Sequence, residues 1–589
     1  MFGNWGSTLR KNSLTLILSI LLLIFGISDS VIAAAEQIHA SYSALKISIP
    51  ISALESYAKY GVISADLAGY YQYIPTNKLQ ELRKILIQPL KISPAVAAQF
   101  LETQQGKFIL QRLAELIQTK SDYPKFVSSS LRTALIAAAA EPGGLNVLNL
   151  LRKYPQNNIN IDVASSLEIA EELEQMISET EKIISALIQI SKSEAAKIYP
   201  SSFSQLPELA NQHIFSAKKQ TINFFDSSRN RHLSTDIYIP NTKNPAPVIV
   251  ISHGLGLDSS NFRYLANHLV KNGFAVVIPN HACSEAQQLQ SLIKDNIRQV
   301  IYPNEFKDRP LDIKYILDQL ESDSRFYQRL NLQQVGVFGQ SLGGYTALAL
   351  AGAKINFLQL NQDCNSQKLR TSWNMSLLLQ CRALELPKQS EQNYKDYNLQ
   401  DPRIKAAMAV NPITSSIFGQ VGLSQIHTPI MIVGSSEDTV APALYEQILP
   451  FSWIIHPQKY LVMLLGGTHF STIGNSNSDS NQMPLPSDMV GDVSQAHNYM
   501  KALSLPFFKT YIAGKTEYLP YLSAAYTQSI SSQSLGLNLV QSLEYLKLAP
   551  ILGDHSPETN PIRKNLSIVR LGFWILGMGI SLLTFLAFS

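Results

Sequence analysis

The chain has 589 residues, too many for one ordinary core, so two or three domains are expected. Apolar residues make up 46% and charged residues 16%, which excludes a disordered chain. A net charge of +4 with no long basic run argues against nucleic acid as a partner.

At the N-terminus, Arg10 and Lys11 precede the apolar run LTLILSILLLIFGI (14–27), and small residues follow at Ala33, Ala34 and Ala35. Basic, apolar, small is the order of a secretory signal, expected over 1–35. An uncleaved membrane anchor is the competing expectation, but the run is shorter than the ~20 residues a spanning helix needs. The body is therefore expected outside the cytoplasm.

Residues 36–195 are expected to form an all-α N-terminal domain with no catalytic signature. NKLQELRKILIQPL and GKFILQRLAELIQ place apolar residues three and four apart, as amphipathic helices do. AEPGGL and KYPQNN punctuate the helices. SSLEIAEELEQMISETEKIISALIQI then reads as one long amphipathic helix or a connector between domains.

The texture changes at about Ile214. QTINFFDSSRNRHLSTDIYIP alternates around a polar turn, like a hairpin. Six apolar runs follow, separated by helical patterns: PVIVISHG, FAVVIPN, LQQVGVFG, IKAAMAVNP, TPIMIVG and KYLVMLL. Near-continuous Val and Ile suit strands buried on both faces. Their alternation with helices predicts an α/β domain with a mostly parallel sheet over 214–510. Residues 354–401 interrupt this rhythm with a long insertion containing WNMSLLLQ, placed where a lid would sit.

The three cysteines are Cys283, Cys364 and Cys381. In an oxidising compartment Cys364 and Cys381 are close enough in sequence to pair, leaving Cys283 over; three free thiols are the alternative. A helical extension is expected over 511–565, and the uncharged segment 571–588 reads as a transmembrane helix that would attach the body to a membrane. Arg563, Lys564 and Arg570 before it would put the body in the cytoplasm, against the N-terminal signal. The first segment usually dominates, and we follow it.

One stretch carries chemistry. In VGVFGQSLGGYTALALAG (335–352) a strand becomes a helix, and Ser341 sits at the junction. G-Q-S-L-G fits a nucleophile elbow, in which a strained turn exposes the serine oxygen above the sheet. A serine hydroxyl needs a base, and the base needs an orienting acid. In chain order the acid should follow, on a loop after a strand. TPIMIVGSSEDTVAP offers Asp438, which we favour, and Glu437 as the alternative. The histidine should follow the last strand, and KYLVMLLGGTHFS supplies His469. His456 precedes that strand, and His497 and His555 fall in later text. Donors for a developing oxyanion are expected from the N–H of Leu342 and from SHGLG after an early strand. There Leu255 is favoured, with Gly254 or Gly256 as alternatives, and His253 is expected to prop the loop.

Through these residues, 214–510 resembles the α/β-hydrolase superfamily, nearest to platelet-activating-factor acetylhydrolase-like and dienelactone-hydrolase-like members. SHGLG followed by YLANHLVKNGFAVVIPNH resembles the acetylhydrolase oxyanion loop and its next helix and strand. EDTVAP and GGTHF are similar to the acid and histidine turns of cutinase-type polyester hydrolases. The dienelactone group often uses cysteine as nucleophile, where this chain has Ser341. The whole arrangement resembles cyanobacterial hydrolases with an N-terminal domain of unknown function. The resemblance implies an α/β-hydrolase fold.

The expectation is a serine carboxylic-ester hydrolase acting on lipid-like or short-chain acyl esters through a Ser341–Asp438–His469 triad. No metal or cofactor is implied. An acyltransferase would share every residue and differ in its acceptor. A binding protein without catalysis would tolerate loss of Ser341.

Overall fold

The computed structural model describes residues 35–197 (several short intervals excepted), 209, 214–287, 301–388, 396–474 and 492–543. The expected signal run at 14–27 and the apolar segment 571–588 lie outside the described residues. Among the described residues no helix is long and apolar enough to cross a membrane. The chain divides into two compact units, and the division falls at Glu179 within the helix Val163–Ala195.

In the N-terminal unit the helix Ile51–Tyr60 turns Ile51, Leu54, Tyr57 and Ala58 to one buried face, at the three- and four-residue spacing of an amphipathic helix. It stops at Gly61, whose φ of 71° lets its N–H bond back to the Tyr57 carbonyl. The expectation of an all-α unit is corrected, because three strands are present. Strand β1 (Gln37–Tyr42) pairs antiparallel with β2 (Leu45–Pro50) and parallel with β3 (Asn158–Asp162). Ile38, Ile49 and Ile159 are buried on this small sheet. The strands are short, and β3 joins β1 across more than a hundred residues, a pairing no local periodicity announces.

The second unit is built on one nine-stranded sheet. The expected hairpin forms as β4 (Ala217–Asp226) and β5 (Arg231–Pro240), in register from Ala217 opposite Pro240 to Asp226 opposite Arg231. The six apolar runs become β6 (Ala246–Ser252), β7 (Ala275–Pro279), β8 (Leu330–Gln340), β9 (Ile404–Val410), β10 (Ile430–Ser435) and β11 (Lys459–Leu465), all mutually parallel. Val248, Ile249, Val250 and Ile251 are all buried, so β6 is covered on both faces, as its unbroken apolar run requires. Helices including Arg263–Lys271, Glu305–Ser322, Leu342–Leu350 and Val493–Tyr511 flank the sheet.

The region after 510 differs from the helical extension expected. It holds a short helix, Ala524–Ile530, and then β12 (Gly536–Val540), which adds antiparallel to β11 as the last strand of the sheet. The topology matters for function. β8 lies between β6 and β9, so its carboxyl end opens beside those of the other parallel strands, where open α/β sheets place ligands.

Candidate active site

β8 ends at Gln340, and the helix Leu342–Leu350 begins two residues later. Ser341, between them, has φ 55° and ψ −119°. A side chain is rarely held there, at a cost of about 1–3 kcal/mol, unless its surroundings over-determine it. Here they do. The Ser341 N–H donates to the Val410 carbonyl of β9 at 2.8 Å, and its own carbonyl accepts from Tyr345 at 3.1 Å. The flanking glycines are equally constrained, since a Cβ on Gly339 would overlap the Gly343 carbonyl, and one on Gly343 the Ser252 carbonyl. Gly343→Ala is thus expected to lower stability by ~3 kcal/mol or to prevent folding. A thermal midpoint within two or three degrees of the parent would refute that packing.

His469 and Asp438 meet Ser341 in one chain of hydrogen bonds. The His469 Nε2 lies 2.9 Å from the serine Oγ, and its Nδ1 lies 2.7 Å from Asp438 Oδ2. Asp438 is buried on the loop after β10, and its other oxygen accepts from the N–H groups of Val440 and Ala441 at 2.9 and 2.7 Å. A buried carboxylate with both oxygens engaged has a fixed orientation. Glu437 is exposed, and among the described residues only its backbone is tied down, by donation to the Gly467 carbonyl at 2.8 Å. Of the other histidines considered, His456 accepts from the Gln458 N–H and His497 stacks on Tyr264 with ring centres 3.8 Å apart. His555 lies outside the described residues.

Two positioning residues escaped the reading of the sequence. Gln340 and Asn411 both donate side-chain N–H to the His469 carbonyl, at 3.2 and 3.3 Å. Both stand at the carboxyl ends of neighbouring strands, and Asn411 has a left-handed φ of 43°. The amide inside G-Q-S-L-G and the Asn-Pro closing IKAAMAVNP were the available signals.

The loop after β6 comes close to the nucleophile, since a Cβ on Gly254 would lie 3.4 Å from that of Ser341. Of the three candidate donors on this loop, Gly256 is already used, donating to the Ser284 carbonyl at 2.9 Å. The N–H groups of Leu255, Gly254 and Leu342 have no acceptor among the described residues. His253 does prop the loop. It is fully buried, its Nε2 accepts from the His281 N–H at 3.1 Å, and its Nδ1 donates to the Gly254 carbonyl at 2.7 Å. Burial, with Arg309 beside it, drives its pKa well below the usual histidine range and keeps the ring neutral. Among the described residues no three His, Cys, Asp or Glu side chains are grouped as metal ligands.

The insertion is tied to this site. Its helix Met375–Gln380 sends the Ser376 N–H to the Val440 carbonyl at 3.0 Å, two residues from Asp438. Asn374 and Gln380 donate to the buried carboxylate of Glu446 at 2.5 and 2.9 Å. Glu446 also receives N–H groups of Thr414 and Ser415 from the loop after β9. Cys364 and Cys381 are bridged within the insertion, and Cys283 is free and exposed.

Two family models match the chain. Residues 34–162 match the family described as an alpha/beta hydrolase of unknown function (DUF1400), and residues 247–366 match the alpha/beta hydrolase fold. These matches indicate an α/β-hydrolase. No curated protein matches the chain closely enough to count as a relative. The second match holds β6, the loop at 253–256, β7, β8 and the elbow of the α/β-hydrolase, and it stops before Asp438 and His469. The first covers the N-terminal unit, where the sequence showed no chemistry, and so links that unit to hydrolases as well.

Proposed function

We propose that the protein is a serine carboxylic-ester hydrolase. The observation that carries this reading is the unbroken Ser341–His469–Asp438 chain, with steps of 2.9 and 2.7 Å, beside backbone N–H groups that have no acceptor among the described residues. His469 Nε2 takes the proton as the Ser341 oxygen attacks the ester carbonyl, and later passes it to the leaving alcohol. Asp438 holds the proton of Nδ1 in place and steadies the imidazolium. The N–H groups of Leu342 and Leu255 receive the oxyanion. Water, giving its proton to the same histidine, then attacks the acyl carbonyl; the bond to Ser341 Oγ breaks, the acid leaves and the proton returns to the serine. The test is a chain-length series of nitrophenyl esters on the purified protein. No turnover of any member would overturn the reading.

The substrate class proposed is lipid-like or short-chain acyl esters, with the insertion as one wall of the acyl pocket. Its Met375, Leu377 and Leu379 are buried, which at ~25 cal/mol per Å² is worth several kcal/mol. Its hydrogen bonds to Val440 and Glu446 fix it beside the acid loop. Replacing the insertion by a short Gly/Ser link is expected to lower long-chain activity much more than short-chain activity. An equal loss for both would make the insertion a prop for the Asp438 loop instead of an acyl wall. The Cys364–Cys381 bridge supports an oxidising compartment and so an exported body.

A further inference from the structure

Arg309 lies in the helix Glu305–Ser322 and is completely buried. A guanidinium is costly to bury, so its partners should reveal its task. Arg231 nearby takes the expected partners, carboxylate oxygens of Glu305 and Asp312 at 2.8 Å each. Arg309 does not. Its nearest carboxylate atom, on Glu305, is 3.8 Å away. Its hydrogen bonds go to the loop that follows β6 and to one serine beside it. Nη1 donates to the His253 carbonyl at 2.6 Å, Nη2 to the Gly254 carbonyl at 3.2 Å, and Nε to Ser284 Oγ at 2.9 Å.

The Gly254 carbonyl and the Leu255 N–H belong to one peptide group. In a trans peptide they point in opposite directions. Drawing that carbonyl toward Arg309 therefore aims the Leu255 N–H away from it. A cation on the carbonyl also polarises the peptide and makes its N–H a stronger donor. The far side of Leu255 is held by the same group at one remove. The Gly256 N–H donates to the Ser284 carbonyl, while Ser284 Oγ accepts from Arg309 and donates to Glu305 at 2.5 Å. His253 adds a second donor to the Gly254 carbonyl.

We infer that Arg309 is a positioning residue that orients and polarises the Gly254–Leu255 peptide, so that the Leu255 N–H faces the oxyanion formed at Ser341. A rigid planar fork is required, because three acceptors must be met at once. The inference rests on the ester-hydrolase reading above.

The test compares the parent protein with Arg309→Lys, which keeps a charge for Glu305 and Asp312 but cannot meet three acceptors. Ser284→Ala is the second variant. It removes one anchor, leaves the guanidinium, and reports on the same network if the lysine variant folds poorly. Each is assayed with a nitrophenyl ester, with folded sites counted by complete labelling with a fluorophosphonate, and each is titrated with a trifluoromethyl ketone. Loss of a single oxyanion donor costs ~10²–10³ in kcat, so misaiming one should cost about 10–100-fold. Arg309→Lys is expected to show that loss in kcat per site, with KM within about threefold and ketone affinity falling in parallel, and Ser284→Ala a smaller loss of the same kind. A counter-ion with no other task would lower the melting temperature and leave kcat per site and ketone affinity unchanged. That result would overturn the inference. A parent protein inactive on every ester would instead overturn the ester-hydrolase reading itself.

Discussion

Ser341→Ala is expected to abolish ester hydrolysis while the protein keeps its fold. Among the described residues the serine Oγ makes one hydrogen bond, to His469 Nε2 at 2.9 Å. Losing one such bond costs stability about 1 kcal/mol. Alanine keeps the same Cβ, so the strain at φ 55° is unchanged, and the contacts of Gly339 and Gly343 that enforce the turn do not involve the hydroxyl. The thermal midpoint should therefore move by only a few degrees. Catalysis has no such reserve. Water must replace the serine as nucleophile at a site shaped for an acyl-enzyme, and removal of a triad serine has cost on the order of 10⁶ in a serine protease. The measurement is turnover of the best nitrophenyl ester, with melting followed on the same sample. A folded alanine variant with parental turnover would show that the chemistry lies elsewhere.

The site was legible in the sequence wherever a local pattern is forced by backbone geometry. A strand-to-helix turn sharp enough to lift a serine leaves no room for side chains at Gly339 and Gly343, so the motif and the fold are one constraint. The six parallel strands were legible for a similar reason, since burial on both faces demands unbroken apolar runs. What escaped depends on partners distant in the chain. β3 meets β1, and β12 meets β11, through pairings that neither segment's own pattern encodes. Both lie in stretches where nearby helices dominate the periodicity. Arg309 escaped for the same reason: in NEFKDRPLDIKYILDQL nothing sets it apart from its charged neighbours, and only folding brings it to the carbonyls of residues 253 and 254. Leu255 could be weighed against Gly256 only once the Ser284 carbonyl was seen to occupy the Gly256 N–H.

Adjacent carboxylates at 437 and 438 give the second large expected effect. Asp438→Asn should lower kcat/KM by about 10⁴, as in the serine-protease template, whereas Glu437→Gln should change it by about threefold at most. The geometry explains the size. Asp438 Oδ1 accepts from two N–H groups, those of Val440 and Ala441, and Oδ2 accepts from His469 Nδ1. An asparagine can satisfy the two backbone donors only by keeping its oxygen on them. Its NH₂ then faces His469 Nδ1, which must give up its proton and become an acceptor. The imidazole proton moves to Nε2, and that nitrogen can no longer take the proton of Ser341. The opposite rotamer points NH₂ at two N–H donors in a buried site and leaves all three unsatisfied, which costs stability instead. Glu437 imposes no such choice, because its side chain is exposed and its loop is held through its backbone N–H on Gly467. Steady-state kinetics of both variants on one ester, at a pH where the parent is most active, decide the matter. Equal losses, or a greater loss in the glutamine variant, would move the orienting acid from Asp438 to its neighbour.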